Sequence, residues 1–131
     1  MNAQLEHANL CVSDIDGIIK FLQTALPDFV IRHDETGADS DRWVHIGNDK
    51  TYIALNNSTQ NDSSDWTPYS GKPGVNHLGY MVDNVEQVRS RLRAAGYIES
   101  TVENTHLFVK DFIFMIPKVG IGNLLSITKM T

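Results

Sequence analysis

The feature that most constrains this chain is an internal repeat. Residues 5–22 set above residues 75–92 align without a gap at a single offset, 77 − 7 = 70 positions. Leu5-Glu6-His7 lies over Val75-Asn76-His77, and Val12-Ser13-Asp14-Ile15-Asp16 over Val82-Asp83-Asn84-Val85-Glu86. Ile18 then meets Val88, and Leu22 meets Leu92. Identity is low, but the chemistry agrees point by point: a histidine, an apolar stretch, a short polar cap, an apolar helix face. Solenoid repeats have periods of about 20–50 residues, so this longer period marks a duplicated module.

Each copy has the same local pattern. Residues 5–12 and 75–82 are apolar-rich and of strand length. Ser13 followed by Asp16, and Asn84 followed by Gln87, have capping-box spacing: a side-chain oxygen takes a free backbone amide and a later residue answers. Ile15, Ile18, Ile19 and Leu22 recur at helical spacing, as do Val85, Val88, Leu92 and Ala95. Pro27 ends the first helical region and Gly96 the second. Three strand candidates follow in each half, near 28–34, 41–47 and 50–56, and near 97–103, 107–116 and 123–129. Gly47-Asn48-Asp49 makes a tight turn between two of them. Module one is thus 1–57 and module two 75–131, joined by the polar, Pro/Gly-rich loop 58–74, a lid or a plain linker.

Composition narrows the function classes. The chain has 131 residues, 41% hydrophobic and 21% charged, which suits a globular domain with its own core. A net charge of −5 argues against a nucleic-acid partner, because such binding rests on clustered Lys and Arg. Arg89, Arg91 and Arg93 share a stretch with Glu86 and Glu99 and read as a solvated helix face. No apolar run reaches the roughly 18 residues of a membrane span, and Met1–His7 lacks the regions of a signal peptide. The single cysteine, Cys11, excludes an internal disulfide framework and a Cys-rich zinc site. A reducing cytoplasm is the expected setting, with no membrane partner.

A duplicated β-α-β-β-β unit with a histidine in the first strand of each half resembles the vicinal-oxygen-chelate superfamily, which includes glyoxalase I, extradiol dioxygenases, and fosfomycin and bleomycin resistance proteins. Gly74-Val75-Asn76-His77-Leu78-Gly79-Tyr80-Met81-Val82-Asp83-Asn84-Val85 looks like the start of that family's second module. Pro117-Lys118-Val119-Gly120-Ile121-Gly122-Asn123-Leu124-Leu125-Ser126-Ile127 looks like a longer variant of its closing turn and last strand, with Ile116 where aspartate is usual. The resemblance covers nearly the whole chain. It implies an α+β fold of two tandem βαβββ modules forming an open barrel-like mixed sheet around a central pocket, helices outside, in a homodimer.

In metal-dependent members the first and last strands of each module give one ligand apiece, two histidines and usually two carboxylates. The histidine positions match His7 and His77, but the carboxylate positions fall on Ala54 and Ser126. Alanine has no donor, and a neutral serine hydroxyl is a poor ligand. A functional zinc or non-haem iron site needs at least one more competent group; His45 is the nearest candidate by sequence. His7 and His77 are read as polar contacts or a general base without metal, against the alternatives of a metal site and of buried structural histidines.

Strand alternation puts Asn9 and Cys11 on the His7 face. Cys11 is taken as core, since free cysteine is commonly buried. Trp43, Tyr52, Trp66 and Tyr69 are candidates to line an apolar pocket, or to pack in the core or between subunits. Phe108, Phe112 and Phe114 read as sheet core. Gly120-Ile121-Gly122 is too short for a dinucleotide fingerprint. The expected ligand-binding set is therefore His7, Asn9, Trp43, Tyr52, Trp66, His77 and Ser126. The expected function is binding of a small, partly apolar molecule without a cofactor. The alternative is a lyase, isomerase or dioxygenase holding a divalent metal through His7, His77 and a third ligand.

Overall fold

The computed structural model describes residues 1–57, 69–99, 112–115 and 124–129, the last two segments by backbone alone. The chain divides into two compact units, Met1–Ser63 and Ser64–Thr131.

The first unit runs β1 (His7–Val12), α1 (Ile15–Ala25), β2 (Val30–Thr36), β3 (Arg42–Gly47) and β4 (Tyr52–Asn57). Its sheet has the order β1-β4-β3-β2, with β1 parallel to β4 and the other pairs antiparallel. Directly paired residues point to one side of a sheet, so the register sorts the faces. One face carries the rows Ala8–Ile53–Ile46 and Leu10–Leu55–Val44. Ile46, Leu55 and Val44 have no solvent exposure there. Against β4 lies α1, whose Ile15, Ile18, Ile19, Phe21, Leu22 and Ala25 are buried. Burying a side chain such as Phe21, Ile46 or Leu55 is worth about 1.5–3 kcal/mol apiece, so this layer holds the unit together. The opposite face carries the rows His7–Tyr52–Gly47, Asn9–Ala54–His45–His33 and Cys11–Asn56–Trp43–Glu35.

The second unit repeats the order with β5 (Leu78–Val82), α2 (Val85–Ala94), β6 (Phe112–Met115) and β7 (Leu124–Lys129) in a sheet β5-β7-β6. Here too the first strand is parallel to the last, and the middle strand is antiparallel to it. Gly79 pairs with Ser126 and Ser126 with Ile113, matching Asn9 with Ala54 and Ala54 with His45 in the first unit. The register thus makes Ala54 and Ser126 equivalent once the longer closing turn of module two is allowed for. The fold class is α+β, built from two copies of one module. Of the strand expected over 97–103, Glu99 makes a single strand-type bridge and 100–103 lie outside the described residues. Trp66, Phe108 and the greater part of the loop 58–74 also lie outside them, as do the side chains of Phe112, Phe114 and Ser126.

Three expectations need correction. The cap of α1 is Asp14, not Ser13: its carboxylate accepts the Gly17 amide at 2.8 Å. The equivalent cap of α2 is Asn84, accepting the Gln87 amide at 3.1 Å, as expected. Gly17 suits the third helical position because a Cβ there would run into the Asp14 carboxylate. Cys11 is exposed rather than core, since it alternates with the inward-facing Leu10 and Val12. The arginine cluster is not simply solvated either. Arg89 and Arg93 hold the nearly buried carboxylate of Glu99 at 2.9 and 2.5 Å, tying α2 to the segment after it.

Candidate functional site

The polar face of the first sheet concentrates imidazole and aromatic rings. His7, opening β1, stacks on its cross-strand partner Tyr52 with centroids 4.7 Å apart and planes 12° from parallel. His45 also packs against Tyr52, tilted by 33° with centroids 4.8 Å apart, and against its partner His33 at 5.6 Å. His33 stacks on Trp43 at 5.5 Å, and Trp43 keeps 40% of its surface exposed. Five rings from four strands therefore form one continuous ladder, His7–Tyr52–His45–His33–Trp43.

A register shift between Ile31 and His33 leaves Arg32 as the extra residue of a bulge. That offset lets its guanidinium sit over the Tyr52 ring, 4.8 Å from the centroid, while Nη1 donates to the Asn48 carbonyl at 3.2 Å. Two carboxylates flank the ladder: Glu6 lies 3.1 Å from His7 Nδ1, and Glu35 3.2 Å from His33 Nε2. His45 is held below the ordinary histidine range, first by burial and then by the positive charge of His33, His7 and Arg32. It is thus a neutral imidazole at physiological pH.

Below the rings, Arg42 fixes the base of β2. Its guanidinium donates twice to Asp34, from Nε at 2.9 Å and Nη2 at 2.8 Å, and a third time to Asp16 of α1 at 2.8 Å. These bonds push the Arg42 pKa up, and the Arg42 contact holds the Asp34 carboxyl below the usual carboxylate range.

Among the residues expected from sequence, His7, Asn9, Trp43 and Tyr52 share this face, and Ala54 lies at its centre between Asn9 and His45. His77 is exposed just before β5, and its Nδ1 meets the Tyr69 hydroxyl at 2.7 Å. Ser126 sits on β7 opposite Gly79. Sequence reasoning missed His33 and Arg32. Period-two alternation could have put His33 and Glu35 on one face of β2, but only the bulge brings Arg32 round to Tyr52.

No protein-family model matches the chain, and no curated protein matches it in sequence. Solved structures do match. Fosfomycin resistance protein FosX from Listeria monocytogenes, in complex with Mn(II) and sulfate, gives a TM-score of 0.71 at 16% identity, covering 100% of this chain and 95% of its own. The glyoxalase family protein from Enterococcus faecalis gives 0.73 at 17% identity, covering 95% and 96%. The chain has the vicinal-oxygen-chelate fold. An antibiotic binding protein from Streptomyces sp. CB03234, TnmS3, gives 0.64 at 21% identity, covering 99% and 98%.

In the metal-dependent pattern of the vicinal-oxygen-chelate fold, the first and last strands of each module carry one ligand apiece. In the first unit the pattern's two positions hold His7 and the methyl group of Ala54, which is buried in the row between Asn9 and His45. In the second they hold His77 and a serine. Among the described residues, no three His, Cys, Asp or Glu side chains are grouped to hold a metal ion. The donor set does not fit the two-histidine, two-carboxylate site. What the face offers instead is polarisable ring surface, the imidazole of His45, the guanidinium of Arg32 and the amide of Asn9.

Proposed function

We propose that this protein binds a small, partly apolar molecule bearing an unsaturated, flat portion, and does so without a metal. The observation that carries this reading is the ring ladder His7–Tyr52–His45–His33–Trp43 on the polar face of the first sheet. Ligand sites are commonly apolar and aromatic, with a few placed polar groups for orientation. Here the half-exposed rings supply the first, and Asn9, Arg32 and the neutral His45 supply the second. Flat π surfaces favour offset stacking at centroid distances of about 4.5–7 Å, which is the spacing the ladder already uses. Trp66, His77 and Ser126 belong to the same proposed set. TnmS3, which shares the fold, is an antibiotic binding protein.

A second reading, a lyase, isomerase or dioxygenase holding a divalent metal through His7, His77 and a further ligand, is favoured by one observation: FosX was solved with Mn(II). The first reading requires only affinity, and the protein is proposed to act as a cytoplasmic homodimer. Thermal-shift screening of planar heteroaromatic compounds, with and without chelator, separates the two. Stabilisation that persists in chelator and is lost in Tyr52→Leu supports binding without metal. Stoichiometric divalent metal lost in a His7→Ala, His77→Ala variant, or stabilisation abolished by chelator, would sink it.

A further inference from the structure

We propose that Tyr69 is a positioning residue: it holds His77 in the tautomer with its proton on Nε2, making that imidazole a hydrogen-bond donor to a carbonyl or carboxylate oxygen. This rests on the ligand-binding reading above only for the identity of the acceptor. The phenol hydroxyl lies 2.7 Å from His77 Nδ1. A neutral imidazole has one donor nitrogen and one acceptor nitrogen, and which is which follows from its partner. The phenol proton is the more acidic, and the phenol lone pairs are partly drawn into the ring, so O–H donates and Nδ1 accepts. The proton of the neutral ring is thereby left on Nε2.

Tyr69 is itself held. Its backbone amide donates to Asn76 Oδ1 at 2.8 Å, and its φ of +60° places a bulky residue in the left-handed region, where side chains rarely settle without other constraints. The segment leading into β5 is thus folded back so that the phenol meets the imidazole eight positions on.

The repeat gives a contrast. Glu6 and Asn76 are equivalent positions, each directly before its module's histidine. Glu6 lies against His7 Nδ1 at 3.1 Å, and an ionised carboxylate only accepts. Its neighbour therefore keeps the proton on Nδ1 and presents a bare Nε2. Asn76 instead grips Tyr69, which reverses the outcome at His77. Two histidines that the repeat makes equivalent are set to opposite polarity, one acceptor and one donor. A protonated Nε2 also cannot ligate a metal, in keeping with the donor set described above.

Long-range proton–nitrogen correlation spectra of the histidine rings near pH 8, on the full chain without ligand, test this. In the native protein His77 should be wholly in the Nε2–H form, and His7 enriched in the Nδ1–H form, relative to the same rings in urea. Tyr69→Phe should relax His77 alone to the urea mixture, and Glu6→Ala, which removes the acceptor, should relax His7 alone. Asn76→Ala should shift His77 in the same direction as Tyr69→Phe by a smaller amount. Backbone amide spectra of each variant confirm that the fold is kept. A native His77 pattern equal to the urea mixture, or one that Tyr69→Phe leaves unchanged, would overturn the proposal. Because the readout needs no ligand, correct tautomers with no hit in the thermal-shift screen would reject the binding reading and leave this one standing.

Discussion

Replacing Tyr52 by leucine is the sharpest test of the ladder as a physical unit. The ring touches His7 at 4.7 Å and His45 at 4.8 Å, with the Arg32 guanidinium 4.8 Å from its centroid. Each ring pair contributes about 0.5–1.5 kcal/mol beyond area burial, and an exposed cation–π contact about 0.5–1 kcal/mol. The sum spans roughly 1.5–4 kcal/mol as an upper bound. Tyr52 is only half-buried, and leucine refills part of its volume, so the expected loss lies in the lower half, about 2 kcal/mol. Urea unfolding followed by far-UV circular dichroism, or a fall in Tm of about 8 °C, would report it. Tyr52→Phe keeps the ring and should stay within about 0.5 kcal/mol of the parent. Pairing Tyr52→Leu with His7→Leu should show a coupling of about 0.5–1.5 kcal/mol. A cost below about 0.5 kcal/mol for Tyr52→Leu, or no coupling, would refute the view that these rings act together.

Other expectations follow from single contacts. Asp14→Ala removes the cap of α1 and should cost about 1 kcal/mol in thermal unfolding, with Asn84→Ala costing a similar amount at α2. Gly47→Ala should cost about 1–3 kcal/mol by overpacking, because a Cβ there would press on the backbone of Thr51 and Tyr52; denaturant midpoints would show it. His45 has a lowered native pKa, so unfolding takes up a proton in the window between that value and 6.5, and stability rises with pH across it and levels off above. Stability curves from pH 5 to 8 should therefore slope upward until about pH 6.5, and His45→Gln should flatten the slope. His33, His7 and Arg32 face His45 and stay in place as the background in that comparison.

The duplicated module was legible because it is written in short-range chemistry. The apolar runs of β1 and β5, the helical spacing of Ile15, Ile18 and Leu22, and the matched histidines need no knowledge of distant contacts. Even the misassigned cap was recoverable: Asp14, not Ser13, aligns with Asn84 at the common offset. The ladder was only half visible. Trp43, His45 and Tyr52 could be placed by alternation, but bringing His33 beside His45 requires the β2–β3 register, and bringing Arg32 over Tyr52 requires the bulge. Neither leaves a mark in local sequence. Tyr69 stood among the pocket candidates, but its contact with His77 was hidden, since it depends on a left-handed backbone that loop composition does not announce.

The parallel pairing of β1 with β4 has a temporal consequence. His7 has no strand partner until Tyr52 exists, 45 positions later, and the second module repeats the delay between Leu78 and Leu125. On a growing chain each module's opening strand can pair only after the strand that closes the module has been made. Closing a loop of that size is the slow kind of step that non-local pairing imposes on folding. The pairs described for the first sheet all lie within His7–Asn57, so its register can be completed before the second module is made.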